Sequence, residues 1–312
     1  MLNYTPPLFL FNNHLETIYP SVFRSVEHLP RTSERIVTPD DDFLDLFWMK
    51  QSAEKVVIIS HGLEGNAQRQ YVRGMARAFW LNGFDVLTWN YRGCGTEMNR
   101  QLRFYHSGAT DDLDVIVRHA ATTGYKEIFL VGFSLGGNIT LKYLGEQKRN
   151  PIISRAVAFS IPMDLRRSCE KISEPSNFIY SRRFLKSLQE KVIRKSKLIP
   201  GLDVTGIKEI KSLYAFDDRF TAPLHGFRNA LHYYETCSSI HFIHHVSIPT
   251  LIVSARNDPF LSKECYPDLK GHPFVRTEYP DRGGHVGFSQ FSKNGLYWSE
   301  ERAVKFLTTP AS

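Results

Sequence analysis

A serine in Gly132-Phe133-Ser134-Leu135-Gly136 stands in the pattern G-x-S-x-G, and further along the chain come Asn257-Asp258-Pro259 and Gly283-Gly284-His285. A serine hydroxyl is a weak nucleophile until an imidazole takes its proton, and the imidazole needs a carboxylate to fix its tautomer and offset its charge. Ser134, His285 and Asp258 supply those three groups, so they are assigned as nucleophile, base and orienting acid of an acyl-transfer centre. Each has a plainer reading when taken alone. A G-x-S-x-G can open any glycine-rich helix, Asp-Pro is commonly a turn, and a glycine-flanked histidine is commonly a turn residue. The assignment rests on all three occurring in one chain, each at the end of an expected strand.

The elements around these residues must put them at one edge of a sheet. Residues 127–131 are short, apolar and rich in β-formers, which predicts a buried parallel strand. From Leu135 to Glu146, apolar residues recur at helical spacing (Leu135, Ile139, Tyr143). A sharp strand-to-helix turn of this kind projects the Ser134 hydroxyl above the sheet while glycines keep the neighbouring chain clear. Lys55-Val56-Val57-Ile58-Ile59-Ser60 is a second buried strand, leaving through His61-Gly62-Leu63-Glu64-Gly65. A loop there places a backbone donor opposite the nucleophile turn, so the N–H groups of Leu63 and Leu135 are the expected oxyanion hole. Residues 250–255 and 274–279 predict two more strands, after which Asp258 and His285 lie at the carboxyl edge of a parallel sheet, where ligand chemistry collects. Asp164, in Pro162-Met163-Asp164, also follows a strand and competes with Asp258 for the role of acid.

The remaining pattern is strand, helix, strand. Residues 8–26 read as an irregular arm, 35–38 and 43–50 as an edge hairpin burying Leu44, Leu46 and Trp48, 71–81 as a helix and 84–89 as a strand. Thr110 is expected to cap a helix whose first turn carries Asp111 and Asp112. His106, a loop histidine with no carboxylate at a strand end, reads as structural. After a strand over 152–161, residues 162–246 form a charge-rich helical insertion, a cap. Within it, residues 181–197 hold seven Lys or Arg and only Glu190. That stretch reads as a solvated helix face, or as a face meeting an anionic lipid surface, where each cation gains roughly 1 kcal/mol.

Composition bounds the rest. At 312 residues and 42% hydrophobic content the chain can bury one large core, so residues 1–312 are expected to form a single α/β domain with the 162–246 insertion within it. A net charge of +7 without a sharp basic stripe argues against nucleic acid. Cys94, Cys169, Cys237 and Cys265 lie far apart, which fits reduced thiols rather than a zinc site or a disulfide framework. No leader and no run of eighteen apolar residues is found, so a cytoplasmic location is expected. The chemistry needs no metal and no organic cofactor, and no obligate protein partner is evident.

The order Ser134, Asp258, His285 is that of α/β-hydrolases and not of chymotrypsin-like or subtilisin-like enzymes. The chain resembles the YheT-like branch of that superfamily, which includes membrane-anchored abhydrolase-domain lipases and yeast medium-chain ethyl ester synthases/esterases. The resemblance rests on residues 13–20 (NHLETIYP), 61–65 (HGLEG), 90–94 (NYRGC), 106–108 (HSG), 132–138 (GFSLGGN), 216–223 (FDDRFTAP) and 283–288 (GGHVGF). It implies an α/β-hydrolase fold with a helical cap and esterase or lipase activity on small-molecule or lipid acyl esters. An acyltransferase or thioesterase using the same acyl-enzyme is the alternative, and a non-catalytic ligand-binding protein of the same fold is the reading from another class. The membrane-anchored relatives carry a transmembrane segment that this sequence lacks, which sets membrane residence and any particular lipid substrate apart from what the resemblance implies.

Overall fold

The computed structural model describes residues 4–27, 29–146 and 150–309. Residues 1–3, part of the stretch read for a leader, lie outside the described residues. In chain order the elements are α1 (Asn13–Val22), β1 (Thr32–Val37), β2 (Phe43–Met49), β3 (Lys55–Ser60), α2 (Gln70–Leu81), β4 (Asp85–Asn90), α3 (Thr110–Thr122), β5 (Glu127–Phe133), α4 (Leu135–Gly145) and β6 (Ile153–Phe159). They continue with α5 (Leu165–Ile172), α6 (Phe178–Ser196), α7 (Leu213–Phe216), α8 (Ala222–Leu224), α9 (Ala230–Cys237), β7 (Thr250–Val253), β8 (Val275–Glu278) and α10 (Trp298–Thr308).

Eight strands make one sheet in the order β1-β2-β4-β3-β5-β6-β7-β8. β2 runs antiparallel to both β1 and β4, and every other neighbouring pair is parallel. β3 shows why its sequence does not alternate. Val56 and Ile58 pack among side chains of α3 and α4, whereas Val57 and Ile59 pack among those of α2 and α10. A parallel strand clothed on both faces is apolar throughout. β2 buries Leu44, Leu46 and Trp48 as its alternation predicts.

Three segments differ from their sequence expectations. Residues 8–26 are not an irregular arm, because Asn12 accepts from the Leu15 N–H at 2.9 Å and starts α1. The buried members of α1 are Glu16 and Pro20, so no aliphatic stripe betrays it. Thr110 lies within α3 and does not cap it; the N-cap is Ala109. Asp111 and Asp112 do lie in the first turn of α3, and Asp112 serves an ion pair as well, accepting from buried Arg92 at 2.7 and 2.9 Å, while Arg92 also reaches Asp42 at 3.0 Å. Between β6 and β7 the chain carries only helices and turns. There α6 buries two cations of its basic stretch, Lys191 and Lys195, leaving Arg182, Arg183, Lys186, Arg194 and Lys197 exposed. Lys195 donates to Asn99 Oδ1 at 2.7 Å and to the carbonyl of Gln101, and burial lowers its amine to about 8.

Candidate active site

β5 delivers the chain to Ser134, which has φ 53° and ψ −119°, a left-handed φ rare for any residue with a Cβ. The conformation is fixed by its N–H, which donates to Phe159 O at 2.8 Å. Close approach dictates the flanking glycines: a Cβ on Gly132 would lie 2.4 Å from Gly136 O, and one on Gly136 would lie 2.5 Å from His61 O. Ser134 also stands as the residue before α4, at the end of the helix where backbone N–H groups lack carbonyl partners within the helix.

β7 ends at Val253 and leads to Asp258, whose side chain is inaccessible to solvent. The structure brings Asp258, His285 and Ser134 together. His285 Nδ1 lies 2.8 Å from Asp258 Oδ2 and 3.1 Å from Oδ1, and His285 Nε2 lies 3.0 Å from Ser134 Oγ. An ionised carboxylate only accepts, which assigns the imidazole proton to Nδ1 and leaves Nε2 to accept from the serine hydroxyl. Phe260 covers the pair, its N–H donating to Asp258 Oδ1 at 2.9 Å and its ring centroid 4.3 Å from that of His285.

The other acid, Asp164, is elsewhere employed: it caps α5 by accepting from the Arg167 N–H at 3.0 Å. His106 lies against His225, Phe227 and Tyr233, and burial drives its imidazole well below the usual range. It therefore stays neutral and has no carboxylate partner among the described residues, as a structural histidine should.

The two expected oxyanion donors lie on either side of Ser134. A Cβ on Gly62 would come within 3.2 Å of Ser134 Cβ, so the loop after β3 touches the nucleophile turn. Tyr71 Oη takes the Gly62 N–H at 2.9 Å and Tyr105 Oη takes that of Glu64 at 2.9 Å. Between them, the Leu63 N–H has no acceptor among the described residues, and neither has that of Leu135. His61 builds this loop from beneath. Its Nδ1 bonds Gly62 O at 2.8 Å and its Nε2 accepts from Tyr91 N–H at 3.3 Å. Burial lowers its pKa to about 3, so it is a neutral scaffold.

Three residues that pattern reasoning missed hold the histidine loop. Thr17 Oγ1 accepts from the His285 N–H at 2.9 Å, Ser160 Oγ from Val286 N–H at 2.9 Å, and Glu16 Oε2 from Gly283 N–H at 2.9 Å and Asn257 Nδ2 at 2.7 Å. Arg282 pairs with Glu16 Oε1 at 2.6 Å, in a geometry that leaves that oxygen without a well-formed hydrogen bond. For Glu16 and Thr17 the available signal was the motif at residues 13–20, which nothing in its periodicity tied to a loop 267 positions away.

A cavity of about 490 Å³ opens on Ser134, Leu63, Leu135 and His285. Its walls come from α1, the loop after β3, the β6–β7 insertion, the loops after β7 and β8, and the start of α10, including Val22, Leu165, Phe184 and Phe260. Among the described residues no group of three or more His, Cys, Asp or Glu is arranged to hold a metal ion, and no helix is long and apolar enough to cross a membrane.

A mostly parallel sheet with a serine on a strained strand-to-helix turn, and an acid and a histidine delivered by later strand ends, is the construction of an α/β-hydrolase. Residues 51–266 match the family described as Serine aminopeptidase, S33. The chain is 32% identical over 308 residues to the protein YheT of Escherichia coli (strain K12), classed by its name with the esterases, covering 96% of this chain and 91% of that one. It is 29% identical over 283 residues to a monoacylglycerol lipase of Saccharomyces cerevisiae, covering 86% of this chain and 62% of that one. Among solved structures, an esterase from Pyrococcus furiosus matches with a TM-score of 0.61 at 18% identity, covering 98% of this chain and 97% of the other, a likeness of fold. The chain belongs to the serine aminopeptidase S33 family of α/β-hydrolases and is an enzyme of the serine-hydrolase class.

Proposed function

We propose that the protein is a carboxylic-ester hydrolase working through a Ser134 acyl-enzyme. The observation that carries the reading is the continuous chain from Asp258 through His285 to Ser134, at 2.8 and 3.0 Å, beside a cavity with two unspent backbone donors. Ser134 Oγ attacks the ester carbonyl carbon as its proton passes to His285 Nε2. The oxyanion is received by the Leu63 and Leu135 N–H groups, and Asp258 stabilises the imidazolium. The tetrahedral species collapses, and His285 returns the proton to the leaving alkoxide, giving alcohol and acyl-serine. Water then gives its proton to His285 as its oxygen attacks the acyl carbon, and the same steps release carboxylic acid and restore Ser134.

An ester is favoured over an aminoacyl substrate by the acids around the cavity. A free substrate ammonium needs an unpaired carboxylate, but Glu64 is paired with Lys191 at 2.5 Å and Glu300 with Arg24 at 2.6 Å, while Asp217 accepts from Thr221 and Tyr234. We read residues 162–246 as a cap over the acyl site within a single domain. The protein is assigned to the cytoplasm with a small-molecule or lipid ester as substrate. The surface at the end of α1 and the start of α6 favours contact with an anionic lipid surface: Val22, Phe23, Phe178 and Ile179 are exposed by 57–74%, and Arg182 and Arg183 follow the last two in α6. Turnover of p-nitrophenyl esters of graded chain length, with and without an added alcohol, against aminoacyl p-nitroanilides gives the test. Ester hydrolysis exceeding both alcoholysis and amide cleavage is expected. Faster amide cleavage would overturn the reading, and dominant alcoholysis would make the enzyme an acyltransferase.

A further inference from the structure

The turn presenting Leu63 is held from a direction that ester hydrolysis itself does not require. Residues 62–65 form a four-residue turn closed by the Gly65 N–H donating to Gly62 O at 3.0 Å. Within it Glu64 adopts φ 52°, where glycine would be at ease and a residue with a Cβ is not. Its side chain is nevertheless 7% exposed and its oxygens are spent on inward partners. Oε1 accepts from Lys191 Nζ at 2.5 Å and from Tyr105 Oη at 2.7 Å, and Oε2 accepts from Ser187 Oγ at 2.5 Å. Tyr105 Oη accepts in turn from the Glu64 N–H, so one tyrosine grips both the backbone and the side chain of the residue following Leu63.

Lys191 and Ser187 lie on α6, in the insertion, whereas Glu64 and Tyr105 belong to loops of the sheet domain. Lys191 Nζ is also 3.1 Å from Cys94 Sγ and 4.7 Å from the centroid of the Tyr105 ring. Burial pushes the Glu64 carboxyl up, but Lys191 and the hydrogen bonds more than offset it, and the pair stays ionised. A buried ion pair is a poor way to add stability, since apolar side chains of similar volume commonly do as well or better. What it does supply is one defined geometry, and the peptide beside the oxyanion position is the part of the chain that it fixes.

We propose that Glu64 is a positioning residue for the oxyanion hole: seated on Lys191, Ser187 and Tyr105, it aims the Leu63 N–H and makes that donor depend on α6 being docked. The proposal rests on the reading of Leu63 as an oxyanion donor. Substrate that opens α6 on entry would uncouple the donor, and closure of α6 over the bound acyl chain would restore it, so the catalytic centre is complete only when the cap is shut.

The test compares wild type, Glu64→Gln, Lys191→Met and the double variant, with Ser134→Ala as control, on a soluble p-nitrophenyl ester. A trifluoromethyl ketone, whose hemiketal oxyanion occupies the same hole, is titrated in parallel. Each single variant is expected to lose about 10²- to 10³-fold in kcat, the range for one lost oxyanion donor, with KM changing less than about threefold. Affinity for the ketone should fall by the same factor. The double variant, which leaves no buried unpaired charge, should regain most of both. A merely structural contact would lower melting temperature and active fraction but leave kcat per active site and ketone affinity unchanged, and that result overturns the proposal. Should one single variant fail to fold, the other decides: a matched loss of kcat and of ketone affinity would uphold the proposal, and wild-type values of both would overturn it. Turnover surviving in Ser134→Ala would instead sink the acyl-enzyme reading, a failure separable from that of Glu64.

Discussion

Exchanging Asp258 for asparagine changes one atom where the hydrogen-bond directions allow no compromise. Asp258 accepts from His285 Nδ1 at 2.8 Å through Oδ2, and from the Phe260 N–H at 2.9 Å through Oδ1, with no solvent access to relieve either. An asparagine must turn its NH₂ towards one of them. Towards His285, it forces the imidazole proton onto Nε2, which can then no longer accept from Ser134. Towards Phe260, it sets two donors face to face in a buried site, which costs about 1–3 kcal/mol. The first arrangement avoids that cost and gives the wrong tautomer, so Asp258→Asn should lower kcat by about 10⁴, or roughly 5.5 kcal/mol of barrier. Asp164→Asn is the matched control. The Asp164 side chain accepts from the Arg167 N–H at the start of α5, and asparagine caps helices equally well, so kcat should change by less than about threefold. Steady-state hydrolysis of a short-chain p-nitrophenyl ester, with thermal melts to establish folding, measures both. An Asp258→Asn enzyme within about tenfold of wild type, or a larger loss from Asp164→Asn, would refute the assignment.

Burial raises the Asp217 carboxyl to about 6. The folded state therefore keeps a proton that the unfolded chain gives up near 3.8, and stability should fall as pH rises between those values. The full shift would be worth about 3 kcal/mol, reduced to about 1–3 because Asp217 meets water in the cavity. Asp217→Asn should flatten the pH dependence of unfolding between about pH 4 and 7, and parallel curves for both proteins would reject this. Glu16→Gln should destabilise by about 1–3 kcal/mol in denaturant unfolding and lower kcat, since Glu16 ties Gly283 and Asn257 beneath the His285 loop; unchanged kcat would show that the loop holds without it. Changing Phe23, Phe178 and Ile179 together to Ser should weaken co-sedimentation with anionic vesicles while leaving turnover of soluble esters intact, and equal binding would remove the lipid-surface reading.

The sheet was legible because its strands are either apolar throughout or alternate cleanly, as in β3 and β2, and the nucleophile turn because sterics forced glycines into fixed positions around Ser134. Asp258 and His285 were legible as residues at strand ends. Their support was not. Glu16 and Thr17 act from α1, whose buried positions are an acid and a proline, so helical periodicity passes over them. Lys191 and Lys195 read as solvated charge because pattern assigns lysine to the surface; their partners, Glu64 and the carbonyls around Asn99, come from loops far away in sequence. No helix is read beyond residue 288, although Glu300 and Glu301 mark the first turn of α10 and its Trp298, Ala303 and Leu307 close one face of the sheet.

Covalent labelling tests the central claim most directly. The enzyme is treated with a fluorophosphonate, digested, and the peptide carrying the new P–O bond is sequenced by mass spectrometry, for wild type and for Ser134→Ala. The account predicts one modified residue, Ser134, at close to full occupancy in wild type, with labelling absent from the variant and its ester turnover reduced by about 10⁴ to 10⁶. A phosphonyl group on another residue, or full turnover by the unlabelled variant, would contradict it.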